Sequence, residues 1–275
     1  MTDALTNVVM EATGADRRQM LTGYIVHHAM YHTRELAAWD LPFLHVPFLD
    51  YLRLDAVMVP FSALLLILLF AFGYKRNQEV PRGMSNLLEI FVLFIRNQIA
   101  VNFLGEQDGR KMTPLFCSFF FFILMMNLLG LVPLFGMATS NINVTGALAA
   151  VTLAFMIFGS IYKNGFVGFL KCFVLPGVPL PLQFLLVPIE VFSMLTKAVA
   201  LMVRLFANML AGHVVIFSLL GMVFLFGWIA FPAAILAVGV FFFELFVAFF
   251  QAYIFTLLSA VFIGQMMHPD HSGET

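Results

Sequence analysis

Hydrophobic residues along this chain gather in long runs, and short polar segments separate the runs. A helix of about 20 apolar residues is long enough to cross the ~30 Å hydrocarbon core of a bilayer. The pattern therefore predicts an all-α, polytopic helical membrane protein with five transmembrane helices and one interfacial amphipathic helix. The expected spans are residues 56–73, 114–135, 143–162, 184–220 and 227–264.

One apolar segment differs from these spans because it is short and carries charge. Residues 86–103 include Glu89 and Arg96, which a lipid-buried crossing helix would have to desolvate. We therefore expect this segment to lie in the membrane interface rather than to cross.

The spans together form one expected transmembrane domain, residues 56–264, because helices packed in lipid make a single bundle. An N-terminal outer segment, 1–55, precedes it, and a polar cytoplasmic tail, 265–275, follows it. His268 and His271 in this tail are expected to be solvated.

The last two runs are longer than one crossing requires. A helix over 184–220 would rise roughly 55 Å, almost twice the thickness of the hydrocarbon core. Two readings stay open: either the last two helices are steeply tilted, or residues 184–264 make three crossings. The tail carries no Lys or Arg, so charge bias does not choose between them.

Composition supports the membrane class. The chain has 275 residues, 62% hydrophobic and 11% charged, whereas soluble domains contain roughly 25% charged residues. The net charge of −1 gives no reason to expect nucleic-acid binding, and no cofactor is expected.

Basic residues set the expected orientation, because Lys and Arg concentrate in cytoplasmic loops. A five-crossing topology places eight of them on one side, four on the other and two inside the membrane, which makes the N-terminus external and the C-terminus cytoplasmic. The three groups are Lys75, Arg76, Arg82, Arg96, Arg110, Lys111, Lys163 and Lys171; Arg17, Arg18, Arg34 and Arg53; and Lys197 and Arg204. The first twenty residues resemble neither a secretory signal nor a mitochondrial presequence, so a bacterial inner membrane is expected.

Arg204 is the residue with the strongest functional signal. It lies within an apolar helix, and its guanidinium keeps its proton at any physiological pH. An ionised side chain at bilayer depth costs roughly 2.5–3.5 kcal/mol on insertion scales. A chain that carries this cost needs a fixed positive charge there, and we expect an anionic partner to approach it.

Further polar residues share the helix of Arg204. Glu190, Lys197 and Arg204 are seven residues apart and therefore lie within ~40° on one helix face. Asn208 follows one turn beyond Arg204 on that side. His213 points to the opposite face, ~13 Å further along the axis.

The last predicted helix carries Glu244 and Gln251, again seven residues apart. If the two helices run antiparallel, Arg204 matches the depth of Gln251 and His213 matches that of Glu244, each within ~3 Å. The polar groups then occupy three depths: an outer acid–base pair, a central arginine and the inner Glu190. This arrangement predicts a proton route interrupted at Arg204, since Arg cannot relay a proton.

Simpler readings exist for several of these residues. Lys197 is expected to snorkel toward the interface rather than to carry protons. Glu190 also fits an interfacial carboxylate, and His213 a hydrogen-bonded packing histidine. Asn208 and Gln251 fit hydrogen bonding between helices as well as a place in the proton route.

Metal and disulfide chemistry find little support. His27, His28 and His32 have helical ligand spacing, but neither a cysteine nor a carboxylate accompanies them at a fixed position, so no metal site is expected. Cys117 and Cys172 are the two cysteines and predict no disulfide framework.

The segment around Arg204 resembles the signature of the rotary ATP synthase a subunit family. The resemblance covers about residues 81–264, and residues 1–55 carry no motif of that family. The matching motifs are Val203–His213, Pro188–Glu190 with Lys197, Gln251–Leu258, Gly109–Pro114, Asn127–Pro133 and Asn141–Thr145.

Membership of that family would imply a proton-channel stator subunit with two long, tilted final helices against a ring of c subunits. Arg204 would face the carboxylate of each passing c subunit and separate two half-channels. His213 and Glu244 would line the outer half-channel and Glu190 the cytoplasmic one. Many bacterial members have the acid and the histidine in the reverse order, which preserves an acid–base pair.

We therefore predict a proton-translocating, non-catalytic subunit of F-type ATP synthase, whose partners are the c-ring, the peripheral-stalk b subunits, the rest of the complex and membrane lipid. The alternative is a proton-coupled secondary transporter that uses Arg204 to bind an anionic substrate. Inverted repeats and broken helices would favour that alternative, and the sequence has no internal repeat.

Overall fold

The computed structural model describes residues 54–73, 83–132, 138–173, 180–226 and 231–268. The regular elements in these ranges are all helical. They are α1 (Leu54–Gly73), α2 (Met84–Phe94), a π-helical segment (Ile95–Ala100), α3 (Val101–Leu131), a 3₁₀ turn (Ala138–Ser140), α4 (Ile142–Lys171), α5 (Leu180–Phe226) and α6 (Phe231–Met267). The predicted segment 1–55 falls almost entirely outside the described residues, as do His27, His28, His32 and His271.

Four helical stretches within the described ranges are long and apolar enough to cross a membrane. They are Met84–Leu131, Ile142–Leu170, Pro181–Val223 and Phe231–Met267, and a shorter apolar helix covers Val57–Gly73. The predicted fold class, an all-α polytopic membrane protein, is confirmed.

A sharp bend at Gly105 shapes the first half of the bundle. Its φ of 78° and ψ of 173° lie in a region that is open essentially to glycine alone. The chain reverses there, so that Phe91 before the bend stacks on Phe120 after it, with ring centroids 5.8 Å apart.

Helix bounds around this bend differ from the predicted ones. The short apolar helix continues from Met84 through the π-helical segment to the bend instead of ending at residue 103. Residues 106–111 are the first turns of the second arm of α3 rather than a loop before a span at 114, and α3 ends at Leu131 instead of 135. The sequence pattern missed the reversal because it depends on one backbone conformation at one residue.

The core lies where α2, α3 and α6 meet, and aromatic rings fill much of it. Phe119 of α3 meets Phe255 of α6 edge to face at 5.7 Å, and Phe91 lies 5.9 Å from Phe249. Phe121 joins α1 to this cluster through an edge-to-face contact with Phe70 at 5.0 Å. The interaction between the rings in such pairs stabilises the core beyond what burial of the rings contributes.

The final two helices are single and long. α5 has 47 residues and contains Pro188 without ending there, and α6 has 37 residues. Their lengths are about 70 Å and 55 Å. The region 184–264 therefore forms two long helices rather than three short ones.

Candidate functional site

The polar residues singled out in the sequence come together in the seam between α5 and α6. The helices run antiparallel, since the contacts descend along α6 as they ascend along α5. Lys197 reaches Gln265, Asn208 reaches Gln251, and His213 reaches Glu244. The depths predicted from the sequence assumed this antiparallel arrangement of the two helices.

His213 and Glu244 form a buried pair. Nδ1 of His213 lies 2.8 Å from Oε1 of Glu244, and both side chains are largely shielded. The same Nδ1 lies 3.0 Å from the carbonyl oxygen of Met209, and Nε2 lies 2.9 Å from that of Gly130. Carbonyls only accept hydrogen bonds, so this cage suits a ring that donates from both nitrogens.

The carboxylate of Glu244 is incompletely satisfied. Among the described residues neither of its oxygens has an aligned hydrogen-bond donor, although Oε1 is in ion-pair contact with His213. A buried carboxylate in that condition is costly, and sites of this kind in native proteins call for a functional explanation.

Close approach of α5 to α6 at this level depends on Gly212. A Cβ added there would lie 2.7 Å from Cδ and 3.2 Å from Cγ of Glu244. Distances under 3 Å between such atoms are excluded by sterics, so a side chain at position 212 would displace the carboxylate.

Asn127 on α3 also contacts this seam, and it was not among the site residues predicted from the sequence. Asn127, which is fully buried, donates from Nδ2 to the carbonyl oxygen of Ala248 at 3.3 Å, and its Oδ1 has no partner among the described residues. Ala248 lies on α6 between Glu244 and Gln251. The signal was available, because Asn127 is an isolated amide within the apolar run 115–132.

Arg204 lies half-buried on α5, next to the fully buried Leu201 and Leu205. Within the described ranges its buried Nη1 has no hydrogen-bond partner, and no ion pair includes the side chain. The small residues Ala200 and Ala207, one turn before and after it, are exposed. Among the described residues the guanidinium is therefore a fixed cation without an anionic partner, next to a surface that a partner can approach closely.

Gln251 pairs with Asn208 instead of with Arg204. Nδ2 of Asn208 donates to Oε1 of Gln251 at 2.8 Å, and the buried Nε2 of the glutamine has no partner in the described part of the chain. The predicted layer of Arg204 and Gln251 is thus offset by one helical turn. Depth matching gave the approximate level, but it carried no information on the direction in which each side chain points.

Lys197 reaches across to α6. Its Nζ donates to Oε1 of Gln265 at 3.2 Å and lies 5.6 Å from the ring centroid of Phe262. Gln265 is exposed near the end of α6, so the ammonium extends toward the end of the bundle, as a snorkelling lysine does.

Glu190 lies half-buried, two residues after Pro188, and no carboxylate ion pair within the described ranges involves it. No group of three His, Cys, Asp or Glu side chains within those ranges could hold a metal ion.

The prediction that His268 is solvated was wrong. His268 Nε2 lies 2.7 Å from Nζ of Lys163, 3.5 Å from Oδ2 of Asp108 and 3.1 Å from the carbonyl oxygen of Leu104. The sequence placed His268 in a polar tail, and only the tertiary fold brings α3 and α4 to it.

Comparison with known proteins gives a consistent result over most of the chain. The family model described as ATP synthase A chain matches residues 56–264. The chain is 40% identical to ATP synthase subunit a of Anaeromyxobacter dehalogenans, over 96% of this chain and 73% of that protein. It is 45% identical to ATP synthase subunit a of Myxococcus xanthus over 78% of this chain and 74% of that protein. It is 46% identical to the protein of the same name from Chloroherpeton thalassium, over 78% and 66%.

Proposed function

Because the chain belongs to the ATP synthase subunit a family, we propose that it forms two proton half-channels against a ring of c subunits. Proton passage through these half-channels drives rotation of the ring. Membership itself makes the chain a non-catalytic component of ATP synthase with a role in proton transport, and a multi-pass protein of the bacterial inner membrane. The remaining subunits of the complex are its partners.

Arg204 is the charge barrier in this proposal. The observation that carries it is the buried Nη1, which has no partner in the part of the chain that the structure describes, on a helix face where Ala200 and Ala207 leave room for another helix. A c-subunit carboxylate that passes there would ionise beside the guanidinium, since an opposite charge within a few ångströms favours the charged form. Because Arg204 keeps its own proton, no proton can pass through it from one half-channel to the other.

The outer half-channel passes the buried pair of His213 and Glu244. Histidine and carboxylate side chains are the residue types that form proton relays inside membrane proteins. Glu190, on the other side of Arg204 along α5, lines the inner half-channel. Asn208 and Gln251 hold α5 and α6 together beside Arg204 through their hydrogen bond. Lys197 connects the same two helices nearer the inner side through its hydrogen bond to Gln265.

Separation of the half-channels is what gives the proton gradient its mechanical effect. One charge moved through 100 mV releases ~2.3 kcal/mol. That free energy turns the ring only if each proton boards a c subunit, because a direct path past Arg204 would dissipate it as heat.

The topology in this proposal has five crossings, with residues 1–55 outside and the tail 265–275 in the cytoplasm. In this proposal α5 and α6 are tilted, since each is longer than one crossing requires. Peripheral-stalk b subunits are the second proposed partner, and they hold the chain still while the ring turns.

The secondary-transporter alternative gains no support. Such transporters bind substrate at helices that are broken near mid-membrane, whereas α5 continues without interruption through Arg204. The matched family also points elsewhere.

Replacement of Arg204 by Ala in the whole complex tests the proposal. We expect proton-driven ATP synthesis in reconstituted vesicles to be lost. Passive proton conductance, measured after removal of the catalytic head, should be retained or increased. Arg204→Lys serves as the comparison, since it keeps a positive charge but loses the planar guanidinium. Synthesis at the parental level with Arg204→Ala would defeat the assignment.

A further inference from the structure

The position of α6 is set mainly by its second half. From Phe231 to Val247 only Ala233, Ala237 and Glu244 are buried, and most of the other side chains are exposed. From Ala248 onward most residues are buried against α3, α4 and the Met84–Leu104 arm. Glu244 therefore lies on a part of the helix that has few contacts of its own to hold it.

The end of α6 is held by a charged cluster drawn from three parts of the chain. Nζ of Lys163, on α4, forms an ion pair with Oδ2 of Asp108, on α3. The same ammonium lies 2.7 Å from Nε2 of His268, directly after α6. One side chain thus connects α3 and α4 to the end of α6.

Asn164 of α4 and Cys172, directly after α4, contact the last carbonyls of α6. Nδ2 of Asn164 donates to the carbonyl oxygen of Met267 at 3.2 Å, and Sγ of Cys172 lies 3.7 Å from that of Met266. The final carbonyls of a helix have no partner within it, so these contacts satisfy groups that would otherwise lack one.

We propose that Lys163 is a positioning residue that fixes the axial position of α6, and with it the depth of Glu244 and Gln251 beside α5. The inference rests on the proposed function, since it concerns the alignment of the half-channel residues. A helix is stiff along its axis, so release of its end shifts every residue on it by a similar amount. The ion pair is partly buried, with side-chain exposures of 29% and 21%, and so carries more weight than a fully exposed one.

A nearby ion pair, unlike that of Lys163 and Asp108, lies within a single helix. Arg110 and Glu106 lie 2.5 Å apart, but both belong to α3, four residues apart, and both are exposed. Their contact connects no two helices. Glu106→Gln is therefore a matched control: it removes one carboxylate from the same segment and leaves the cluster of Lys163 intact.

Disulfide formation can report the position of α6 independently of transport. Thr152 on α4 and Ser259 on α6 are both buried, with hydroxyl oxygens 3.3 Å apart. Cysteines at these two positions, in a complex whose Cys117 and Cys172 are replaced by Ser, should oxidise rapidly when the helices are in register. The pair lies eleven residues from Lys163 on α4, roughly 16 Å, so a purely local effect of the cluster would not alter its rate.

We expect Lys163→Met and Asp108→Asn each to slow this oxidation about tenfold, and to reduce ATP synthesis relative to passive proton conductance. Lys163→Arg should retain both readouts. The exchange variant, Asp108→Lys with Lys163→Asp, should restore them. Glu106→Gln should leave both at the parental level. Chain abundance in the membrane is measured for every variant, and rates are expressed per chain.

Parental oxidation rates in both Lys163→Met and Asp108→Asn would overturn the proposal. So would an exchange variant that is no better than the single variants. The disulfide rate requires no proton transport. An unchanged disulfide rate would therefore overturn only the role of Lys163, whereas normal ATP synthesis with Arg204→Ala would overturn the proposed function.

Discussion

Oε1 of Glu244 lies 2.8 Å from Nδ1 of His213, in the seam where α5 and α6 cross the level of the last turn of α3. The two residues come from different helices, and each would be an expensive group to bury alone. Their contact brings an acid and a base together two to three helical turns beyond Arg204 along α5.

Exchange of the two partners tests whether the pair acts as a unit. We expect His213→Ala and Glu244→Ala each to slow ATP-driven proton pumping by about tenfold or more, because each leaves its buried partner uncompensated. His213→Glu combined with Glu244→His should recover a large part of that loss, since the acid–base contact is retained in reversed order. Proton pumping in inverted vesicles measures the effect. Independent, additive losses with no recovery in the exchanged variant would show that the two residues do not form a functional pair.

Gly212 provides a steric test of the same site. Gly212→Ala places a Cβ within 2.7 Å of Cδ of Glu244, so we expect the carboxylate to shift and proton transport to fall severalfold. Gly239→Ala is the matched control, because it is also a helical glycine and a Cβ there meets nothing within 4 Å. Proton pumping normalised to chain abundance is the measurement. Equal activities of the two variants would contradict the packing described for Glu244.

The reversal at Gly105 predicts a defect in stability rather than in transport. Gly105→Ala forces a side chain into a backbone conformation with φ 78° and ψ 173°, which costs about 1–3 kcal/mol. The thermal midpoint of the purified protein in detergent should fall accordingly. Asn102→Ala, at an exposed helical position on the same arm, should leave the midpoint unchanged. A midpoint for Gly105→Ala equal to that of Asn102→Ala would mean that the bend is not as tight as described.

Sequence alone was sufficient for those features that follow from helical geometry. Once α5 and α6 are antiparallel, equal depth requires only the rise per residue, and this was enough to match His213 with Glu244. It was less successful for Gln251, which binds Asn208 one turn from the expected level. Rotation about the helix axis and the rotamer of a long side chain decide such contacts, and neither is encoded in spacing.

Features that depend on a single backbone conformation or on distant segments were missed. The reversal at Gly105 comes from one left-handed residue within a stretch that otherwise reads as helix. His268 was assigned to solvent because its sequence neighbours are polar, but its partner Lys163 lies 105 residues away. No local pattern identifies a contact of that separation.

The most direct test of the central claim, that Arg204 faces an acid on a partner ring, is cysteine cross-linking within the assembled complex. One cysteine is placed at Ala200 or Ala207, which are exposed on either side of Arg204, and the other beside the mid-membrane carboxylate of the c subunit. Ala198→Cys is the control, because Ala198 is only 6% exposed on the inward side of the same helix. The account predicts cross-links from positions 200 and 207 and none from 198. Cross-links from 198 alone, or from none of the three, would contradict it.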